Sequence, residues 1–335
     1  MTEHFPDLPT VRTVLSLATR APSVHNTQPW RWRVGQESLH LYADHTLQLS
    51  STDPDSRDLL LSCGIALHHC VVALAALGWQ PKVHRLPNPD EPEHLAAVEV
   101  HRQPADDMDI TLAAAIPQRR TDRRRYSTWN VSSSSIALLG ARAARAGVIL
   151  RQIESLPRLQ SIVAQAVWQH ARDHDYLAEL TAWSGRYASL AGVPARNTPQ
   201  SDPDAPIPPR LFANPVLEQP LGAESGDDHA VVLALGTKED SRLARLRAGE
   251  ATSLVLLSAT TLGLASCPVT EPLEIATTRA AVQTEVFGNN AFPQMLLRIG
   301  WAPVNADPLP ATPRRPLADV AEWLDGSALS EPMIS

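Results

Sequence analysis

Ala21-Pro22-Ser23-Val24-His25-Asn26-Thr27-Gln28-Pro29-Trp30 separates a helix-like run, residues 8–20, from a strand-like run, residues 30–34. Pro22, Asn26 and Pro29 stop the helix and force a shaped turn, because proline has no backbone N–H to donate and asparagine favours turns. Ser23, His25, Asn26 and Gln28 crowd polar groups onto that turn. Such a turn suits the polar edge of a flat ligand, with Trp30 as an anchor below. A helix stop with Asx-type self-capping would use the same residues, so the turn decides the fold only together with the rest of the chain.

Further on, residues 38–43 read as a second short strand joined through Gly35. Thr52-Asp53-Pro54-Asp55-Ser56 offers N-caps and an early proline to a nearly all-apolar helix over residues 57–77, ending at Gly78. A second apolar helix spans residues 242–264. Helices apolar all round are buried in a large core or an interface. The two run in register: Gly64 and Gly249 are 185 residues apart, as are Gly78 and Gly263, and the same offset pairs Arg57 with Arg242, Ala66 with Ala251 and Leu77 with Leu262. That ungapped match predicts an internal duplication, the two helices packing about a pseudo-twofold axis. Strands are expected at 81–85, 95–102, 148–153, 231–235 and 294–300. Helices are expected at 109–116, from Ser132 to Ser135 as far as about 146, and at about 156–183. Residues 185–228 show no periodicity and carry eight prolines; a loop of that length is usually functional or disordered.

With 335 residues and 44% hydrophobic composition the chain supports one large or two ordinary domains. A net charge of −7 argues against a general nucleic-acid or anionic-membrane binder. No run of about 18 apolar residues predicts a membrane span, and the first residues lack the basic-then-apolar pattern of a leader. Cys63, Cys70 and Cys267 suit a reducing cytoplasm. In this acidic chain residues 119–125 hold five arginines in seven positions, a density suited to planar, bidentate recognition of phosphate; a solvated face is the alternative. Residues 263–272 end the second apolar helix with ordinary glycine and proline stop chemistry, and Cys267 there has no evident neighbouring base. Arg314 and Arg315 lie between prolines. His170 and His174 have the spacing of two metal ligands on a helix but no third ligand, so a solvated face is expected. His68, His69 and Cys70 read as packed groups. No dinucleotide, nucleophile-elbow or P-loop glycine motif occurs.

Ala-Pro-Ser-x-x-Asn-x-Gln-Pro-Trp resembles the flavin-contacting turn of the nitroreductase family, and Val24-His25 brings it nearer to the family's Acg-like branch. Arg-x-Thr-x-Arg at Arg119, Thr121 and Arg123 resembles the family's FMN motif. The resemblance implies that Arg119, or Arg120 in the neighbouring register, and Thr121 meet the phosphate and ribityl chain. It places Arg123 at the pyrimidine edge of the flavin, where a positive charge eases reduction. Gly263-Leu264, followed by Pro268, Val269 and Thr270, resembles the segment that lies along the flavin ring, with Val269 on the ring and the Thr270 amide at N5. Pro22, Ser23 and Asn26 would join from the turn, and Arg314 and Arg315 resemble the C-terminal phosphate clamp.

By this resemblance the fold is α+β, a nitroreductase-like, internally duplicated pseudo-dimer with helices flanking a mixed β-sheet. The N-terminal half, residues 1–105, carries the turn but not the arginine motif. The C-terminal half, residues 106–335, carries the motif, has a lid-like insertion at about 185–228, and shows no second turn near 144–151. A homodimer fused into one polypeptide that retains one FMN site is implied, and with it a monomeric state. The implied activity is NAD(P)H-dependent reduction of nitroaromatic or quinone-like small molecules through FMN. It needs no protein nucleophile and no catalytic residue beyond those that position the flavin. A second function class is FMN binding or sequestration with little or no turnover, the insertion acting as a lid. No nucleic-acid or membrane partner is expected, and the location is expected to be cytoplasmic.

Overall fold

The structure is a computed structural model that describes residues 4–186, 189–200, 202, 205–219, 228–303 and 305–329. Residues 1–3 of the leader reading, and Pro203 and Pro220 of the proline-rich stretch, lie outside the described residues.

Helix α1 (Leu8–Ala18) begins where the Asp7 carboxylate accepts the Thr10 N–H at 3.0 Å, an N-cap that satisfies a free helical donor. After the turn come β1 (Trp30–Val34) and β2 (Ser38–Ala43), the long helix α2 (Arg57–Ala76), β3 (Trp79–Arg85) and β4 (His94–Arg102). The strands form a sheet in which β1, β2, β4 and β3 pair antiparallel in that order. Its inward residues, among them Trp30, Trp32, Leu39 and Leu41, are buried against α1 and α2, the alternation expected of a sheet covered on one face.

The second half opens with α3 (Asp107–Ala115), started by a reciprocal capping box between Asp106 and Asp109. It continues through α4 (Ser133–Arg145), β5 (Ile149–Gln152), α5 (Leu156–His170) and α6 (His174–Trp183). The single helix expected over 156–183 is therefore two: the chain breaks at residues 171–173, and the Asp173 carboxylate caps α6 by accepting the Asp175 and Tyr176 N–H groups. The insertion carries a small parallel pair, β6 (Ser184–Arg186) and β7 (Val193–Pro194). Then follow β8 (Val231–Thr237), α7 (Arg242–Thr261), β9 (Ala265–Val269), the short α8 (Glu271–Glu274), α9 (Ala276–Phe287), β10 (Phe292–Gly300) and β11 (Ala321–Trp323).

Strands β5, β8, β10 and β9 form a second, antiparallel sheet. Leu233 and Leu235 face α4 and α7 on one side, while Val232 and Ala234 face α5 and α9 on the other. The last strand does not join this sheet. β11 returns to the first one and pairs parallel with β1, which makes that sheet mixed.

The two halves meet along α2 and α7. A Cβ on Gly64 would fall 2.1 Å from the Leu246 carbonyl oxygen, and one on Gly249 would fall 2.2 Å from that of Leu61. The 185-residue offset read from the sequence exchanges these two contacts, mapping Gly64 onto Gly249 and Leu61 onto Leu246, and the His68 Nδ1 to Ser253 Oγ contact of 2.8 Å joins two residues at that same offset. Only glycine permits so close a backbone crossing. Helix α2 is long and apolar enough by composition to cross a membrane, but 83% of that stretch is buried inside the protein.

Candidate functional site

The turn holds three non-glycine residues in the left-handed region: His25 (φ 43°), Asn26 (φ 55°) and Gln28 (φ 56°). Such strain persists only where the surroundings over-determine it, and here they do. The Ser23 hydroxyl accepts the Gln28 N–H at 2.9 Å, and the Ser62 hydroxyl of α2 accepts the Val24 N–H at 3.1 Å. The Gln28 amide donates to the Leu190 carbonyl and accepts from the Arg315 N–H. The Asn26 amide donates to the Gly192 and Pro313 carbonyls at 3.0 and 3.2 Å and accepts from Arg314 at 3.0 Å. The turn is thereby tied to α2, to the insertion and to the C-terminal tail. Pro22, Ser23 and His25 line a cavity of about 1280 Å³, measured out to its open mouth. Asn26 lies buried behind them and holds the turn in shape.

Of the five arginines at 119–125, Arg124 is paired with Asp122 and Arg125 with Asp202. Arg119 and Arg120 have no ion pair among the described residues. With Arg314 and Arg20 they line a second, smaller cavity of about 260 Å³, likewise measured out to its open mouth. Burial, and then the neighbouring guanidinium groups, push Arg119 down to about 10 and Arg314 down to about 9. The Nε atoms of Arg119 and Arg20 are buried without a partner among the described residues. Like charges held together with unsatisfied donors are costly, and a phosphate-like anion removes the cost through charge-assisted bonds. Arg314 is also structural. Its guanidinium donates to the Thr19, Arg20 and Ala21 carbonyls, each at 3.0 Å, so it closes the end of α1. The Arg315 side chain lines neither cavity and donates to the Asp319 carbonyl.

Arg119 links the cavities by donating to the Thr121 hydroxyl at 3.3 Å, and Thr121 lines the larger one. The Asp122 N–H donates to Ser266 at 2.9 Å, which lays the arginine motif along β9. After the helix stop, β9 (Ala265–Val269) thus forms a strand, and Pro268 is tolerated because β9 is a sheet edge. Pro268, Val269 and Thr270 line the large cavity with Arg123, whose guanidinium lies 5.0 Å from the Phe212 ring centroid and donates to the Asn197 carbonyl. Burial raises the Cys267 thiol, which disfavours a thiolate nucleophile.

Described parts of the insertion form the remaining wall, and Arg210 fastens them. It donates to His25 Nε2 at 3.0 Å, the Tyr176 hydroxyl at 2.8 Å, the Thr270 hydroxyl at 3.2 Å and the Glu274 carboxylate. His170, expected on a solvated face, is buried: its ring stacks on Tyr176 at 3.8 Å and its Nδ1 lies 3.1 Å from the Glu271 carboxylate. The sequence reading singles out His25 on the turn but not Arg20, Arg210 or Glu274. Arg20 directly precedes the turn and offered a local signal; the others depend on long-range partners. Arg210→Lys keeps a charge beside Glu274 but cannot reproduce the four-way fork. The loss of about 1–2 kcal/mol should open the loop some 5- to 30-fold more often, read as faster hydrogen exchange at 205–219.

No protein-family model matches the chain. A Mycobacterium tuberculosis (strain H37Rv) protein provisionally named NAD(P)H nitroreductase is 65% identical to it over 323 residues, covering 96% of this chain and 94% of that one. Another from that strain, provisionally named NAD(P)H nitroreductase acg, is 36% identical over 325 residues, covering 92% and 94%. Among solved structures, an FMN-dependent nitroreductase from Mycobacterium smegmatis in complex with NADPH is 16% identical, covers 65% of this chain and 99% of that one, and superposes with a TM-score of 0.40.

Proposed function

We propose, for a chain that belongs to the nitroreductase family in its Acg-like branch, the function of an FMN-binding oxidoreductase that takes electrons from NAD(P)H and passes them to small quinone-like or nitroaromatic acceptors. The observation that carries the reading is the cluster of Arg20, Arg119, Arg120 and Arg314, which has no ion pair among the described residues and is linked through Thr121 to a cavity walled by Ser23, Arg123 and residues 268–270. These residues fit the cofactor: the Nε donors of Arg119 and Arg20, buried without a partner among the described residues, suit an anion. FMN, when bound, supplies reversible two-electron chemistry. Arg119, Arg120 and Arg20 hold its phosphate, Thr121 and Ser23 its ribityl chain, Arg123 its pyrimidine edge and Pro268 to Thr270 its ring. The insertion limits water and large acceptors. The fused halves supply one turn and one arginine cluster, so one FMN per chain and a monomeric protein are expected. Three free, buried cysteines suit a reducing compartment such as the cytoplasm.

A second reading, FMN held without turnover, is favoured by the anchoring of the insertion through Arg210. One experiment separates them. Reconstituted protein is assayed for flavin content and then mixed with NADPH under nitrogen while flavin absorbance is followed. The oxidoreductase reading expects one flavin per chain and rapid bleaching. Retained flavin that no nicotinamide bleaches would leave only the second reading, and two flavins per chain would overturn the fused-dimer argument.

A further inference from the structure

Helix α2 delivers a carboxyl group to the large cavity. Asp58 lies in its first turn, lines the cavity and is 2% exposed. Arg57 donates to one carboxyl oxygen, Oδ1, while also donating to the Gln294 carbonyl at 2.6 Å. The other oxygen, Oδ2, is buried and has no hydrogen-bond partner among the described residues. Its backbone is fixed: the Asp58 N–H donates to Asp53 at 2.9 Å, and the Ser62 hydroxyl donates to the Asp58 carbonyl at 2.6 Å while receiving the Val24 N–H. The same side of α2 therefore carries the turn through Ser62 and places Asp58 in the wall of the cavity that Ser23 and Thr270 also line.

A buried carboxyl oxygen without a donor is an expensive arrangement for a carboxylate and an ordinary one for a carboxylic acid whose Oδ2–H serves a ligand. We propose that Asp58 is the acid that protonates the acceptor's oxygen during its reduction. This rests on the functional reading above. The balance requires such a group. A quinone that receives two electrons and one proton, together a hydride, from the reduced cofactor needs one further proton to become hydroquinone. A nitro group treated the same way needs one proton to become a nitroso group and water. The Asp58 O–H bond breaks as the acceptor's O–H bond forms, and water returns a proton to the carboxylate.

The electrostatics agree. Burial holds the Asp58 carboxyl above the usual carboxylate range, opposed by Arg57 and aided by Glu274 of α8; Arg210 of the insertion opposes and Asp55 aids. Asp53, also buried, faces it from before the helix. Burial, with Arg210 and Arg123 beside it, keeps His25, which also lines the cavity, neutral, so it adds no competing acid.

The test uses holoprotein whose flavin has been reduced with dithionite, so it does not depend on the nicotinamide step. Reoxidation is then timed with benzoquinone, which needs the proton, and with ferricyanide, which does not. Asp58→Asn should slow the benzoquinone reaction by on the order of 10²-fold and leave the ferricyanide reaction within about twofold. In the unmodified protein the benzoquinone rate should fall as pH rises through the raised Asp58 value, with no such fall for ferricyanide, so the proposal stays testable if the variant folds poorly. Infrared pH-difference spectra of flavin-free protein should also show a protonated carboxyl band that Asp58→Asn removes. Equal rates with benzoquinone in variant and parent, or equal losses with both acceptors, would overturn the assignment of Asp58. Reduced protein inert to both acceptors would overturn the functional reading itself, and Asp58 with it.

Discussion

Replacing Arg119 and Arg120 together by alanine is expected to yield protein that no longer retains FMN. Both line the small cavity with Arg20 and Arg314, and neither has an ion pair among the described residues. Each charge-assisted bond to a phosphate contributes about 1.5–3 kcal/mol, so the pair should weaken FMN by about 3–6 kcal/mol, on the order of 10² to 10⁴ in Kd. Riboflavin has the same ring and ribityl chain but no phosphate. Its affinity should change by only a few-fold, which makes the FMN-to-riboflavin ratio the quantity to measure, by fluorescence quenching. The fold should not suffer, because without an anion these groups repel one another: burial and neighbouring arginines already depress Arg119 to about 10. A variant that loses FMN and riboflavin in equal proportion would show that the arginines support the cavity's shape and do not bind phosphate. Arg314 is the poorer choice for such a test, since it also closes the end of α1.

Gly64→Ala is expected to cause the largest loss of stability. The new methyl group would sit 2.1 Å from the Leu246 carbonyl oxygen and 3.0 Å from the Gly249 Cα. Both are backbone atoms of a buried helix, so no side chain can swing aside, and α2 and α7 must separate. Overpacking of this kind costs about 3 kcal/mol, seen as a lowered Tm. Because α2 carries Asp58 and Ser62 while α7 leads into β9, the same separation should part the cavity walls and loosen FMN. Gly140→Ala, in the middle of α4, meets nothing within 4 Å and should instead stabilise by about 0.5–1 kcal/mol through helix propensity and a less flexible unfolded chain. Similar melting curves for the two variants would refute the close-crossing argument.

Much of this architecture could be read from local chemistry. Proline at 22 and 29 and asparagine at 26 mark the turn whatever the chain does later. The glycines at 64 and 249 stand in register, and the structure places them in contact. Other features depend on distant partners. Residues 171–173 look helical until Asp173 is seen capping α6. β9 was hidden behind Pro268, which breaks strands except at an edge, and the three residues of β11 are too few for a periodicity. Helix α9 buries only Thr278, Val282 and Phe287, too sparse a stripe to stand out. Among the arginines the sequence marked a dense cluster but could not sort it. The sorting depends on which carboxylates come near: Asp122 and Asp202 claim Arg124 and Arg125, leaving Arg119 and Arg120 to the small cavity and Arg123 to the large one. Asn26 and Arg315 illustrate the same limit, since their polar groups are engaged by the insertion and the tail.

The arginines that line the small cavity are residues 20, 119, 120 and 314, and β1 gains its outer neighbour only from residues 321–323. A polypeptide emerges from the ribosome N-terminus first, and its early segments begin to fold as they appear. Here the turn at 21–30 is synthesised well before Arg314, which fastens it. A nascent chain interrupted before that point would have the arginine motif, both central helices and β9, but no finished cradle. If FMN is held as proposed, its loading waits until translation has run through residue 314.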